Sequence, residues 1–483
     1  TIPAAKTLSV TGTAALATQV TLDGGTFSVA DLANAALLQF DRGTFELTEA
    51  NLIVGPGGLL GRTVTLSGEQ AIHVTNTATV TAAGQLNLSG GEIRAGELVN
   101  YGQIELSGAG SLVDGNTLVN HGFLRGNGTI SAPLSNMGDG QVSVAPGQRL
   151  VLAGGSNVNN GSMVNDGGVM EVSQALTNTP GGNISGHGAA RFGFNGGLNN
   201  AGVFGLSFAD AQVYGDITNE PNGIVSVAGA STAVFAGDLT NHGTVFLGAD
   251  SRAVFQGNVG GGGSFPGGGT VEFVDGFSPG GSAGVARFGG GVAFAPTAAL
   301  IIELAEADNS DPLAPRYDAL DVVGDIHLSG TLDLSWLPVP GDPDSKFGGV
   351  YSILTYGGTR TGMFDSIDCQ MPTYLDTSVF PDGVEYDDAN GEVKIHLYDL
   401  LAGDADLDGR VAREDLHALQ LGFGSGDPDW LTGDFNFDGR ADFLDYLTWK
   451  ANVGDSVPGA IPEPATLALL ALGALGVMRR KRQ

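Results

Sequence analysis

The chain has 483 residues, 79 of them glycine, and is 42% hydrophobic. That length leaves room for two or more domains, that apolar content excludes wholesale disorder, and glycine at about twice ordinary usage points to many tight turns. The formal net charge of −31 repels phosphate backbones and argues against nucleic acid as a partner.

No charged-then-apolar leader opens the chain at Thr1; prior removal of a signal peptide is compatible with this start, and the sequence does not show it. Residues 1–97 carry strand-like stretches such as VTLDGGTFSV (20–29) and GRTVTLSG (61–68). A clearer repeat follows: an Asn, shortly followed by Gly, beside an alternating apolar run, as in LVNYGQIELSG (98–108) and LTNHGTVFLG (239–248). The repeated asparagines are read as Asn100, Asn120, Asn136, Asn165, Asn178, Asn200, Asn219 and Asn241, with spacings from 13 to 29 that centre near 20. Two-residue alternation predicts strands. A period near 20 predicts a solenoid whose coils stack and share one core. Asn suits the corner between strands, where it tolerates left-handed backbone and can bond the Asn one coil away, and the following Gly takes the tight turn. The pattern resembles the repeat regions of large bacterial surface proteins, including autotransporter passengers. The expected fold is mostly β: a parallel β-helix over 1–258.

From 259 the chain turns very Gly-rich, then becomes strand-like with acidic loops up to 398. This segment resembles the final coils and cap of autotransporter-like β-helices, with a small separate β domain as the alternative. Cys369, the single cysteine, falls here; one cysteine makes neither an intramolecular disulfide nor a cysteine-based metal cluster, and a buried hydrophobe is its expected role. Residues 300–455 hold 31 of the 52 acidic residues.

Residues 399–455 switch to short helical patterns around two matching loops. DADLDGRVARED (404–415) puts Asp404, Asp406 and Asp408 at positions 1, 3 and 5, Gly409 at 6, Arg410 at 7 and Asp415 at 12. DFNFDGRADFLD (434–445) repeats this with Asp434, Asn436, Asp438, Gly439, Arg440 and Asp445. Calcium takes about six to eight hard oxygens at about 2.3–2.6 Å. Alternate residues of a tight loop can supply them, the carbonyls of Arg410 and Arg440 add one each, and position 12 closes the shell from the following helix. Two Ca2+ sites are expected. Leu416 and Leu419, and Leu444 and Leu447, are each three apart and predict an apolar face on each helix. The pair resembles the dockerin module, in which two calcium loops are each followed by a helix, and Asp at position 12 favours dockerin over an ordinary EF-hand. Position 9 is Ala412 in the first loop and Asp442 in the second, so the second site is expected to be the stronger. Arg413 and Glu414, then Phe443 and Leu444, stand where cellulosomal dockerins carry a small hydroxyl pair, so calcium binding is the firmer expectation and a cohesin-like partner the weaker.

The chain ends in IPEPATLALLALGALGVMRRKRQ (461–483): a Pro462-Glu463-Pro464 triplet, an apolar run over 465–478, and a basic stop of Arg479, Arg480, Lys481 and Arg482. Fourteen apolar residues are short for a span of about 20, and the basic end stays cytoplasmic. The arrangement over 456–483 resembles the PEP-CTERM sorting signal read by exosortase. That resemblance implies transient membrane insertion, cleavage near the triplet, and a secreted, surface or matrix location. Paired with dockerin-like loops it resembles planctomycete surface proteins.

GFSPG (276–280) and GGSAG (280–284) match Gly-x-Ser-x-Gly, but Pro279 has no N–H for an oxyanion hole and no helical pattern follows. The expected function is a structural or adhesive surface protein, not an enzyme, with extracellular polysaccharide as a candidate partner. The alternatives are a polysaccharide-degrading β-helix enzyme (lyase or glycosidase) tethered by its dockerin-like loops, or a glycan- or ice-binding protein.

Overall fold

The structure, a computed structural model, describes residues 1–280, 283–304, 316–336, 349–369, 375–377, 379–397, 401–426, 428, 430–436 and 438–456. The sorting-signal features of 461–483, and Ser282 of GGSAG, lie outside the described residues.

One coil shows how the sequence becomes a solenoid. Strand Leu176–Asn178 is followed by strand Asn183–Gly188 and strand Arg191–Phe194, and the chain then returns to Leu198–Asn200. The return is in register and parallel: Leu176 faces Leu198, Thr177 faces Asn199 and Asn178 faces Asn200. Three strands per coil give three faces. Parallel pairing repeats this on every face, in a solenoid of about 14 turns. Long strands such as Gln103–Gly115 and Val203–Tyr214 bend round a corner and belong to two faces at once. The N-terminal stretches 7–14, 20–32 and 38–47 stack in the same parallel way.

The two-residue period decides what is inside. Leu176 and Asn178 are buried while Thr177 between them is exposed. Stacked coils therefore align inward residues in columns, such as Leu98, Leu118 and Leu134, then Leu176 and Leu198 beyond Asn157. Each fully buried Leu contributes roughly 1.5–3 kcal/mol relative to exposure. Farther along, larger rings fill the bore: Phe235 stacks on Phe255 at 4.9 Å and Phe265 on Phe288 at 4.7 Å.

Parallel pairing continues past residue 259, with Leu239 facing Val259, Phe255 facing Phe273, and Leu334 facing Cys369. Cys369 is buried. Strands Val285–Phe288, Ala319–Val322 and Gly349–Tyr356 form a second parallel group. There the pattern changes: Glu392–Leu397 pairs antiparallel with both Gly349–Tyr356 and Val384–Asp387. The two α-helices of the described residues come last: α1 (Arg413–Gly422) and α2 (Phe443–Asn452). No described helix is long and apolar enough to cross a membrane.

The repeat asparagines form a buried ladder. The Nδ2 of Asn100 donates to Asn120 Oδ1 at 2.7 Å, and the same bond runs on through Asn136, Asn159, Asn178, Asn200, Asn219 and Asn241 at 2.7–2.9 Å. This corrects one member of the sequence repeat. Asn159, not Asn165, occupies the ladder, and its spacings of 23 and 19 to its neighbours replace the irregular 29 and 13. Asn165 is buried on another strand, where it accepts from Gly168 N and donates to Arg191 O. The ladder starts above Val80, which faces Asn100, and stops below Gly261, whose strand follows that of Asn241. The glycines that follow the asparagines are needed for space rather than for left-handed turns. A Cβ on Gly122 would lie 2.2 Å from Gly102 O, and one on Gly202 would lie 2.3 Å from Gly182 O.

The Gly-x-Ser-x-Gly match is also placed. Ser278 sits in strand Gly276–Pro279, paired parallel with Val259–Gly261, so it is not at a strand-to-helix elbow.

Candidate functional site

The acidic loops are built by the same local rules twice, thirty residues apart. Each begins with a left-handed glycine, Gly403 (φ 97°) and Gly433 (φ 95°), and each bends at a second one, Gly409 (φ 80°) and Gly439 (φ 79°). Only glycine takes these values without strain. The position-12 carboxylates then tie loop to helix. Asp415 Oδ1 accepts from Ala405 N at 2.7 Å and Oδ2 accepts from Ala412 N at 2.6 Å. Asp445 does the same with Phe435 N and Asp442 N, both at 2.8 Å. Position 1 folds over the bend: Asp404 Oδ2 accepts from Gly409 N at 2.8 Å and Asp434 Oδ2 from Gly439 N at 2.9 Å. Asp406 and Asn436 each accept from the N–H two residues on, so the Asn436 amide oxygen stands in the place of a carboxylate oxygen.

The two halves clasp each other reciprocally. Gly454 N donates to Val411 O at 2.8 Å, and Gly424 N donates to Ala441 O at 3.0 Å, the same bond shifted by thirty residues. A Cβ on Gly403 would lie 2.9 Å from Trp449 Cα, and one on Gly433 would lie 2.5 Å from Leu419 Cα. Each loop therefore sits on the other's helix. Trp430 Nε1 donates to Asp404 O at 2.6 Å, and Trp449 Nε1 to Ala412 O at 2.7 Å. Sequence reading missed both tryptophans and both leading glycines; the Gly-Asp pair at 403–404, repeated at 433–434, was the available signal.

Asp404, Asp406 and Asp408 offer ligand oxygens that all lie within 4.8 Å of one another. Asp404 is 1% exposed, and its Oδ1 has no hydrogen-bond partner. Burial pushes the Asp404 carboxyl up to about 7, and the charges of Asp415, Asp408 and Asp406 push the same way. Burial likewise lifts Asp434 to about 6 and raises Asp406 and Asp445. A buried, unpartnered carboxylate oxygen beside two further carboxylates is a costly arrangement that a hard cation would offset. Asp415 and Asp445 are buried and held by backbone N–H groups. Arg410 pairs with Ser456 in an antiparallel bridge, and the Arg440 side chain is exposed.

The two helices place their leucines differently. Leu419 is buried and Leu416 packs against the core, as an apolar face requires. In α2, however, Leu444 and Leu447 are 55% and 44% exposed, and Tyr446 and Trp449 pack inward instead. The register is set by Asp445, which must point into its own loop and so turns the leucines outward. Asp442 caps α2, accepting from Leu444 N at 2.8 Å.

The geometry defines a parallel β-solenoid followed by a duplicated acidic loop-and-helix unit. Residues 460–483 match the family model for the PEP-CTERM protein-sorting motif. That motif is a sorting signal recognised by exosortase, and it indicates export and a surface or extracellular location. The chain is thus a secreted, surface-sorted protein with a β-helix fold. No curated protein matches the chain.

Proposed function

We propose that this chain is a structural, adhesive component of a bacterial surface or matrix. In this reading the solenoid is a non-catalytic shaft, and the duplicated loops form a dockerin-like unit that binds two Ca2+ ions. Asp404, Asp406, Asp408 and Asp415, with the Arg410 carbonyl, hold one ion. Asp434, Asn436, Asp438 and Asp445, with the Arg440 carbonyl, hold the other. The unpartnered, buried Oδ1 of Asp404 carries the calcium reading, because an anionic oxygen withdrawn from water needs a positive partner. Calcium is abundant outside cells, where the sorting signal sends the protein. The tail inserts transiently in the membrane and is cleaved near Pro462-Glu463-Pro464. A cohesin-like partner is a weaker part of the proposal; the exposed Phe443 and Leu444 at the loop-helix junction replace the hydroxyl pair such partners recognise. Titration calorimetry of the whole chain with Ca2+ tests the metal assignment. Uptake reversed by EGTA, and reduced by half in Asp404→Asn and in Asp434→Asn, is expected. Absence of uptake by the unsubstituted chain would overturn it.

A further inference from the structure

We propose that the solenoid binds an acidic polysaccharide, of the uronate class, in a groove on the face that carries Arg191. Strands Arg149–Leu152, Val169–Val172, Arg191–Phe194 and the end of Val203–Tyr214 stack here. The register places Gly193 between Glu171 and Tyr214 in one outward row. Without a side chain at 193 the row is interrupted, leaving a groove of about 510 Å³ lined by Arg149, Glu171, Arg191, Gly193, Asn195 and Tyr214.

The chemistry of the lining selects the ligand. Tyr214 is 47% exposed, and its hydroxyl donates to Gln212 Oε1 at 2.8 Å, which fixes the ring. A fixed aromatic ring receives the apolar face of a sugar. Arg149 is engaged with Glu171, its Nε 2.9 Å from Oε1. Arg42, Arg94, Arg125 and Arg252 are likewise paired with carboxylates. Arg191 has no carboxylate partner among the described residues, so its guanidinium is available for a planar, bidentate carboxylate. An unpaired exposed cation beside an aromatic ring fits an anionic sugar better than a neutral one.

The same face continues in both directions through parallel pairing. It carries a groove of about 230 Å³ around His73 and Arg94, and one of about 650 Å³ floored by Gly289, Gly290 and Gly291. Coils spaced about 4.8 Å apart make that face a track along which an extended polymer meets successive grooves. The inference rests on the extracellular reading above for access to polysaccharide, but not on its calcium.

The test is titration of the whole chain with oligogalacturonate in EGTA, with neutral cello-oligosaccharide and an oligoglutamate peptide as comparators. Selective binding of the uronate is expected. Arg191→Ala should weaken it by roughly tenfold or more, the worth of a charge-assisted hydrogen bond, and Tyr214→Ala should weaken it similarly. Gly193→Phe should abolish it by filling the groove; a Cβ at 193 meets nothing closer than Glu171 Cγ at 3.4 Å, so the fold tolerates a side chain there. Arg125→Ala, whose guanidinium is paired with Glu105 on a different face, should bind as before. No uronate binding, equal binding by all variants, or equal or tighter binding of either comparator would overturn the proposal. Because EGTA is present throughout, these outcomes are independent of the calcium titration.

Discussion

Asn178→Ala removes one rung from the middle of the asparagine ladder. Asn178 Nδ2 donates to Asn200 Oδ1 at 2.8 Å and to Val203 O at 3.1 Å, and its Oδ1 accepts from Asn159 Nδ2 at 2.8 Å. All three ladder residues are 0% exposed, so water does not replace what is lost. After substitution Asn200 Oδ1 and Val203 O lose a donor, and Asn159 Nδ2 keeps only a long 3.4 Å contact to Asn183 O. At about 1–3 kcal/mol for each stranded buried group, the expected loss is about 3–5 kcal/mol. Because each coil contacts only its neighbours, the loss is local. Hydrogen exchange should accelerate at residues 157–203 and stay unchanged in coils beyond 240. Urea unfolding followed by circular dichroism gives the magnitude. Two comparisons guard the reasoning. Thr177→Ala, on the exposed position next door, should cost little. Asn241→Ala should cost less than Asn178→Ala, because Asn241 Nδ2 makes no hydrogen bond at the ladder's end. Equal costs for all three would refute the claim that the ladder, and not the strand, holds the corner.

Three other outcomes are expected. Gly433→Ala, which forces a Cβ to 2.5 Å from Leu419 Cα at φ 95°, should lower the stability of the loop-and-helix unit by about 1–3 kcal/mol or more, seen as a lower melting temperature, while Gly439→Ala, with nothing within 4 Å, should cost less. Asp318 is fully buried, with Oδ1 and Oδ2 accepting from Gly284 N and Glu303 N, and burial pushes its carboxyl up to about 7. The folded state therefore holds a proton that the unfolded state has released, so stability falls as pH rises from about 4 to about 7 and is level above that; Asp318→Asn should flatten that part of a stability-against-pH curve. Replacing Arg479, Arg480, Lys481 and Arg482 with serine should leave the protein unsorted, checked by fractionation and by the mass of its C-terminus.

The solenoid was legible because two signals reinforce each other: alternation with period two, and an Asn at nearly fixed spacing. The one misplaced rung has a local cause. The Leu-x-Asn signature of the ladder strand is broken at Asn157-Val158-Asn159, where Asn157 takes the leucine's inward position, accepting from Leu134 N and donating to Gly154 O. With the signature gone, the Met163-Val164-Asn165 stretch resembled the repeat more closely. The acidic loops were legible by position, since ligand spacing follows directly from the chain. The inward pair of α2 is legible only by aligning the two copies: thirty residues on from Leu416 and Leu419 stand Tyr446 and Trp449, which pack inward while Leu444 and Leu447 face solvent. The Arg191 groove was hidden in the sequence. Glu171, Gly193 and Tyr214 are about twenty residues apart in sequence and become neighbours only when the exact length of each coil is known.

The proposal that the duplicated loops hold two Ca2+ ions on an exported solenoid rests on metal content. Native mass spectrometry of the whole chain, purified with millimolar Ca2+ and then exchanged into volatile buffer, tests it most directly. A mass increment of two Ca2+ ions, reduced to one in Asp404→Asn and lost after EGTA, is the predicted result. A chain that carries no calcium at neutral pH, with its solenoid intact by circular dichroism, would contradict it.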